Sequence, residues 1–168
     1  MLKRFCRSHV LFIVVCLITL ELPITSVCQL EVGAEESTVK DYLERGKRYI
    51  EMELYDQAIT EFHQILQINL NHSETYYCIG NAYRYQNMID KAVDAYQRVL
   101  ALKASKKIHG LTYLHLGILY NEQGKFSDAE KYCKIAVEML PKMAKAYTTL
   151  GDIYLQRRNF NLAISCYQ

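Results

Sequence analysis

Five histidines, His9, His63, His72, His109 and His115, are the residues of this sequence best suited to general acid–base or metal chemistry, and their spacing supports neither. A helical site of that kind sets two such groups at i and i+4, where they share a face and converge on one ion or proton. No two histidines stand at that interval. Glu51 with Glu53 and Asp90 with Asp94 fall among polar neighbours, the setting of solvated charge. No glycine-rich phosphate loop, H-E-x-x-H zinc motif, G-x-S-x-G elbow or C-x-x-C pair occurs. These residues are therefore expected to carry no catalytic site, no metal and no cofactor. One modification signal is present: Asn71-His72-Ser73 is an acceptor sequence for N-glycosylation, placed where the chain should turn.

Charge narrows the classes further. The 168 residues hold 20 Lys and Arg against 18 Asp and Glu. Lys3, Arg4 and Arg7 stand against Glu21 in the first 28 residues, so the remainder is balanced. A neutral chain lacks the basic face that nucleic-acid binding needs. With 51% hydrophobic residues, 23% charged ones and only 2 Pro, the chain is expected to fold.

The basic start, the apolar run from Val10 to Leu20 broken only by Thr19, and the small residues around Ser26-Val27-Cys28 predict a secretory signal peptide over 1–28. An uncleaved membrane anchor is the alternative, although a run of about 11 residues is short of the roughly 20 needed to span a bilayer. A lipoprotein signal using Cys16 or Cys28 fits least, because Val15 and Val27 precede those cysteines. The expected address is the endoplasmic reticulum lumen or the exterior, with membrane contact only through an uncleaved 1–28. Cleavage leaves Cys78, Cys133 and Cys166, an odd number expected to be buried free thiols.

The elements that position everything else follow from a repeat. Gly46, Gly80, Gly117 and Gly151 are separated by 34, 37 and 34 residues. Four residues before each stands Tyr42, Tyr76, Tyr113 or Tyr147, and three after it Tyr49, Tyr83, Tyr120 or Tyr154. Twelve after it comes Ala58, Ala92, Ala129 or Ala163, and sixteen after it Phe62, Tyr96, Cys133 or Tyr167. Of these twenty positions only Cys133 breaks its column's type. Spacings of three and four put Tyr, Gly and Tyr on one face of a helix. Each period thus predicts two antiparallel helices, brought close where Gly of the first meets Ala of the second. Gly124 is placed to end a first helix in the left-handed conformation, Ser127-Asp128 to cap the next, and Pro141 to stop it. Lys103 to His109 takes the three-residue excess and is expected to be a basic loop.

These columns resemble the tetratricopeptide repeat family. The third repeat reads Tyr113, Leu116-Gly117, Tyr120, Ala129 and Pro141, and the fourth Tyr147, Leu150-Gly151, Tyr154, Ala163 and Tyr167. The first departs from the pattern at Arg45 and Leu70. The resemblance covers 39–168 and implies an all-α, right-handed α-solenoid of antiparallel helix pairs, in repeats at 39–72, 73–109, 110–143 and 144–168 after a linker at 29–38. The sequence stops at Gln168 inside the second helix of the fourth repeat, so a fragment of a longer array is expected, with its last apolar side uncovered and marginal stability.

In the family's arrangement, first helices line a concave groove. Carried onto this sequence, the lining is Lys40, Leu43, Lys47 and Ile50 from the first repeat and Tyr77, Asn81, Arg84 and Tyr85 from the second. Leu114, Ile118 and Asn121 follow from the third, and Thr148, Asp152 and Leu155 from the fourth. Basic at its start, then aromatic, then aliphatic, such a groove implies a polypeptide partner with apolar anchors and some acidic character. The resemblance thus implies a protein–protein interaction scaffold of the secretory pathway, co-chaperone-like in its pairing of signal and repeats. The alternative is a substrate-recruiting region of a larger enzyme, such as a glycosyltransferase or hydroxylase, with its catalytic domain beyond residue 168. The carboxylate clamp of some family members is not expected. Asn81 sits at a clamp-like place, but Leu43, Tyr77, Leu111 and His115 stand where Lys, Asn or Arg are needed.

Overall fold

The computed structural model describes the backbone of residues 24–168 and the side chains from residue 36 onward. The signal segment expected at 1–28 lies outside the described residues but for its last five. Among the described residues there are eight helices and no strand: α1 (Ile24–Glu51), α2 (Tyr55–Ile68), α3 (Ser73–Tyr85), α4 (Ile89–Ala101), α5 (Lys106–Glu122), α6 (Phe126–Met139), α7 (Ala144–Gln156) and α8 (Phe160–Tyr167). None of them is long and apolar enough to cross a membrane.

Residues 1–41 and residues 42–168 are two separate units. Within the first, residues 29–38 are helical, not the linker expected of them. The stretch holds no proline and a run of good helix formers, Ala34-Glu35-Glu36, so a helix once nucleated continues through it.

The second unit is the solenoid. First helices α3, α5 and α7 pack on their partners α4, α6 and α8, and each second helix also meets the first helix of the next repeat. The first helices touch one another, α3 to α5 and α5 to α7, and so form the closely spaced inner layer. Ala58, Ala92, Ala129 and Ala163 are all essentially inaccessible, and Phe62 and Tyr96 are fully buried beside them. Each such ring contributes roughly 1.5–3 kcal/mol by leaving water.

The glycine column makes room for the residue sixteen positions on, and in the third repeat the expected approach to the alanine is seen beside it, with Ala129 O 3.3 Å from where a Cβ on Gly117 would stand. A Cβ on Gly80 would stand 2.5 Å from the Tyr96 ring, and one on Gly151 would stand 2.6 Å from the Tyr167 ring. Gly46 likewise makes room for Phe62 and Gly117 for the Cys133 thiol, so the space at each glycine belongs to the residue sixteen positions on.

Turns within the repeats share one geometry. Glu53, Asn87, Gly124 and Arg158, each seven residues after a column glycine, all have φ between 57° and 71°. The amide one residue later bonds back to the carbonyl of Tyr49, Tyr83, Tyr120 or Tyr154 at 2.8–2.9 Å, closing the helix end. Gly124 takes the left-handed turn as expected and α6 ends at Met139, just ahead of Pro141. The expected cap does not form: α6 begins at Phe126 with no side-chain cap, which leaves Ser127 and Asp128 inside its first turn. The three-residue excess is also handled differently. Ser105 Oγ accepts from the Ile108 amide at 3.3 Å and starts α5 at Lys106, so most of the expected basic loop becomes an added helical turn.

Between repeats, Glu130 of α6 gathers Lys134 Nζ at 2.7 Å, the Tyr154 hydroxyl at 3.2 Å and the Arg157 guanidinium. Cys78 and Cys133 are buried free thiols, as expected, and Cys166 is half-buried.

Candidate binding groove

The inner layer brings the second and third repeats into one polar, aromatic cluster. Tyr77 of α3 stacks on His115 of α5 with 5.6 Å between ring centroids and 10° between planes. The Tyr96 hydroxyl donates to Asn81 Oδ1 at 2.7 Å. It also lies 3.3 Å from His115 Nδ1. Its single proton is spent on Asn81, so the His115 contact requires the Nδ1–H tautomer, with the imidazole donating. Burial, together with the charges of Arg84 and Lys145, pushes the His115 pKa down to about 4, and the ring is neutral at pH 7. Burial also raises the Tyr96 and Tyr77 phenols.

Two polar atoms on the first helices of these repeats lack a partner. Arg84 Nε, a donor, and Asn121 Oδ1, an acceptor, are buried with no hydrogen-bond partner. They occupy the same register, four residues after Gly80 and Gly117, on adjacent first helices. Unsatisfied buried groups are costly, about 1–3 kcal/mol each, and are retained where something else completes them. The Arg84 guanidinium carbon lies 4.4 Å over the ring of Tyr85, which is 52% exposed and stacks on Tyr55 at 5.6 Å.

The remaining expected lining divides three ways. Leu43, Ile50 and Ile118 are half-buried, and Thr148 and Leu155 are exposed. Lys40 is exposed but belongs to the other unit. Lys47 Nζ is taken by Glu74 Oε1 at 2.9 Å, so the basic start of the groove is partly neutralised, and in the fourth repeat Asp152 accepts from the Tyr167 hydroxyl at 2.6 Å. Leu114 is a correction: it is 1% exposed, packed with Ala136 and Ala146 between repeats three and four. Burying leucine there is worth roughly 1.5–3 kcal/mol, and the polar residue beside it, His115, takes the inner surface instead. Sequence reading placed His115 at a clamp position but left it out of the lining in favour of Leu114, and a residue directly after a buried helical leucine faces about 100° away from it. Asn71 is exposed in the turn between α2 and α3, where its amide is held by Asn69 Oδ1 at 3.0 Å. Among the described residues no cluster of three or more metal-ligating side chains forms.

Two family models described as tetratricopeptide repeat match residues 73–105 and 114–168. Over 111 residues the chain is 32% identical to the BBSome complex member BBS4 of Bos taurus, a match spanning 66% of this chain but 19% of that protein. This chain therefore spans about a fifth of that relative's length. Its fold is similar to the crystal structure of MamA, with a TM-score of 0.69, 24% identity, and coverage of 83% of this chain and 80% of that one. It is also similar to the first repeat domain of Spaghetti (RPAP3) bound to the HSP90 peptide SRMEEVD, with a TM-score of 0.66 and 18% identity over 73% of this chain and 94% of that one.

Proposed function

The chain belongs to the tetratricopeptide repeat family, and on that premise we propose that it is a protein–protein interaction scaffold that holds an extended polypeptide against the first helices of its second and third repeats. The observation that carries this reading is the Tyr77–His115 platform with Arg84 close to it, whose Nε has no hydrogen-bond partner. A peptide carbonyl offers the acceptor that the Arg84 Nε lacks. The rings then supply a flat apolar contact at low entropic cost. Arg84 and Lys145 give the site positive charge, which favours a segment with acidic character. The peptide named with the Spaghetti structure, SRMEEVD, has that character. The contacts here differ from a clamp of lysines and asparagines, so the reading is co-chaperone-like in the kind of ligand and not in the residues that hold it. No catalytic step is assigned to these residues, and recruitment of substrate to a larger enzyme would use the same groove.

The test is selection of a random displayed peptide library on the immobilised chain. Enrichment of acidic, apolar peptides that release at high salt and bind Arg84→Ala at least tenfold more weakly is expected. Peptides that bind both proteins equally would sink the reading.

The compartment is proposed as the secretory lumen or the exterior, on the N-terminal pattern of 1–28. Expression in a eukaryotic cell with N-terminal sequencing of the product tests it. A start near Gln29 with a mass shift removed by Asn71→Gln is expected, whereas retention of Met1 in a membrane pellet would replace it with the anchored form.

A further inference from the structure

The position fifteen after each column glycine is Glu61, Ala95, Tyr132 or Cys166, and the third repeat shows what a ring there does on the stripe that bears the tyrosine columns. In the third repeat Tyr132 of α6 stacks on Tyr120 at 5.3 Å and 8°, and on Tyr113 at 6.1 Å and 24°. Tyr113 and Tyr120 flank Gly117 at the two column positions, and Tyr132 follows Gly117 by fifteen. In the second repeat the same three positions are Tyr76, Tyr83 and Ala95. The two tyrosines are there and the ring that would stack on them is not. What stands in its place is a slot of about 250 Å³ lined by Tyr76, Tyr83, Ile79 and Ala95. It is smaller than a small-molecule pocket and suited to one side chain. The slot shares His63, Tyr76 and Arg98 with a cleft of about 710 Å³ that runs on past Leu66 and Leu70 between α2 and α4.

We propose that this slot receives an aromatic side chain from a partner polypeptide, which stacks on Tyr76 and Tyr83 as Tyr132 stacks on Tyr113 and Tyr120 within the chain itself. The occupant's class follows from charge and from the neighbouring repeats. In the first repeat the position of Ala95 is held by Glu61, which pairs with Arg45, and that guanidinium lies 4.7 Å over the Tyr42 ring. Both a ring and a cation therefore fit the architecture. At the second repeat Lys91 and Arg98 stand at the slot against the single carboxylate of Asp94, and Lys91 Nζ already lies 5.4 Å from the Tyr83 ring. Another cation would be repelled there, and an uncharged ring would not. Residues flanking the anchor would lie along the wider cleft, where Leu70 is 68% exposed and the Arg98 guanidinium has no acceptor among the described residues. This surface is distinct from the groove: on α3 it uses Tyr76, Ile79 and Tyr83, whereas the groove uses Tyr77, Asn81 and Arg84.

The test uses N-acetyl-tyrosinamide as probe and the methyl resonance of Ile79, in the full chain, as reporter. Millimolar, saturable binding with a ring-current shift of that methyl is expected, and N-acetyl-argininamide is expected to bind at least fivefold more weakly. Ala95→Tyr should fill the slot from within, melt no lower than the parent and lose the response at least tenfold, while Arg84→Ala keeps it. Ala95→Leu serves the same purpose should the larger side chain impair folding. An unmoved Ile79 methyl in the folded parent, an undiminished response in a filled variant, or equal binding of the arginine probe would each overturn the proposal.

Discussion

Tyr77 and His115, thirty-eight residues apart in sequence, stack ring on ring at 5.6 Å and so tie the first helix of the second repeat to the first helix of the third. The imidazole in this contact is held uncharged, first by burial, which removes the water that would solvate a charge, and then by the positive charges of Arg84 and Lys145. From this a pH dependence follows.

His115 is held down to about 4 in the folded chain, whereas an unfolded histidine titrates near 6.5. Below 6.5 the unfolded state binds the proton that the folded state refuses. Stability should therefore fall as pH drops from about 6.5 towards 4, by up to about 1.4 kcal/mol per unit, and level off below that. Urea unfolding at a series of pH values checks it: His115→Gln should flatten that slope, and an identical slope in the variant would contradict it.

Gly80→Ala should destabilise the chain although alanine is the better helix former. The intrinsic gain is about 1 kcal/mol. The new Cβ would meet the Tyr96 ring at 2.5 Å, and that ring is held by Asn81 and cannot step aside. Overpacking of this kind costs about 1–3 kcal/mol, so a net loss is expected in thermal or chemical unfolding. A stabilised variant would show that the ring has somewhere to go.

Glu53→Gly should act in the opposite direction. Glu53 holds φ at 61°, which costs an L-residue roughly 1–2 kcal/mol, and glycine takes the conformation freely. Part of that gain is lost to the greater freedom of glycine in the unfolded chain, leaving about 1 kcal/mol of stabilisation in the same assay.

Thiol reactivity should sort by burial. Cys78 and Cys133 are pushed up to about 12 by burial, and Cys166 is less buried. In the folded chain at pH 8, Cys166 should react with a disulfide reagent well ahead of the other two, as read by peptide mass analysis. Prompt labelling of Cys133 would mean that α6 separates from α5 in the native state.

The fold was legible because its determinants are local and repeated. Gly46, Gly80, Gly117 and Gly151 with their tyrosines and alanines fixed the register of every pair, and the helices appear where that register puts them. The turns were less so. Gly124, and more weakly Asn87, announce a left-handed residue, whereas Glu53 and Arg158 take that conformation under compulsion from the packed helices and not by preference. Ser105 was also missed as a cap, because a loop rich in lysine and a helix rich in lysine look alike until the amide of Ile108 finds its acceptor. The groove was half legible. Tyr77, Asn81 and Arg84 came from the resemblance to the repeat family, but the exchange of Leu114 for His115 depends on which side of α5 faces α7, and no single repeat encodes that.

The added turn of α5 has a mechanical side. Three residues join the two helices of every pair and four residues join each pair to the next, so what sets the junction after α4 apart is the extra turn of α5 and not the length of the loop. Tyr77 and His115 sit on opposite sides of that joint. Whatever grips both rings also fixes the angle between the two halves of the array. A peptide held against both rings, as proposed, would therefore also brace the second repeat against the third.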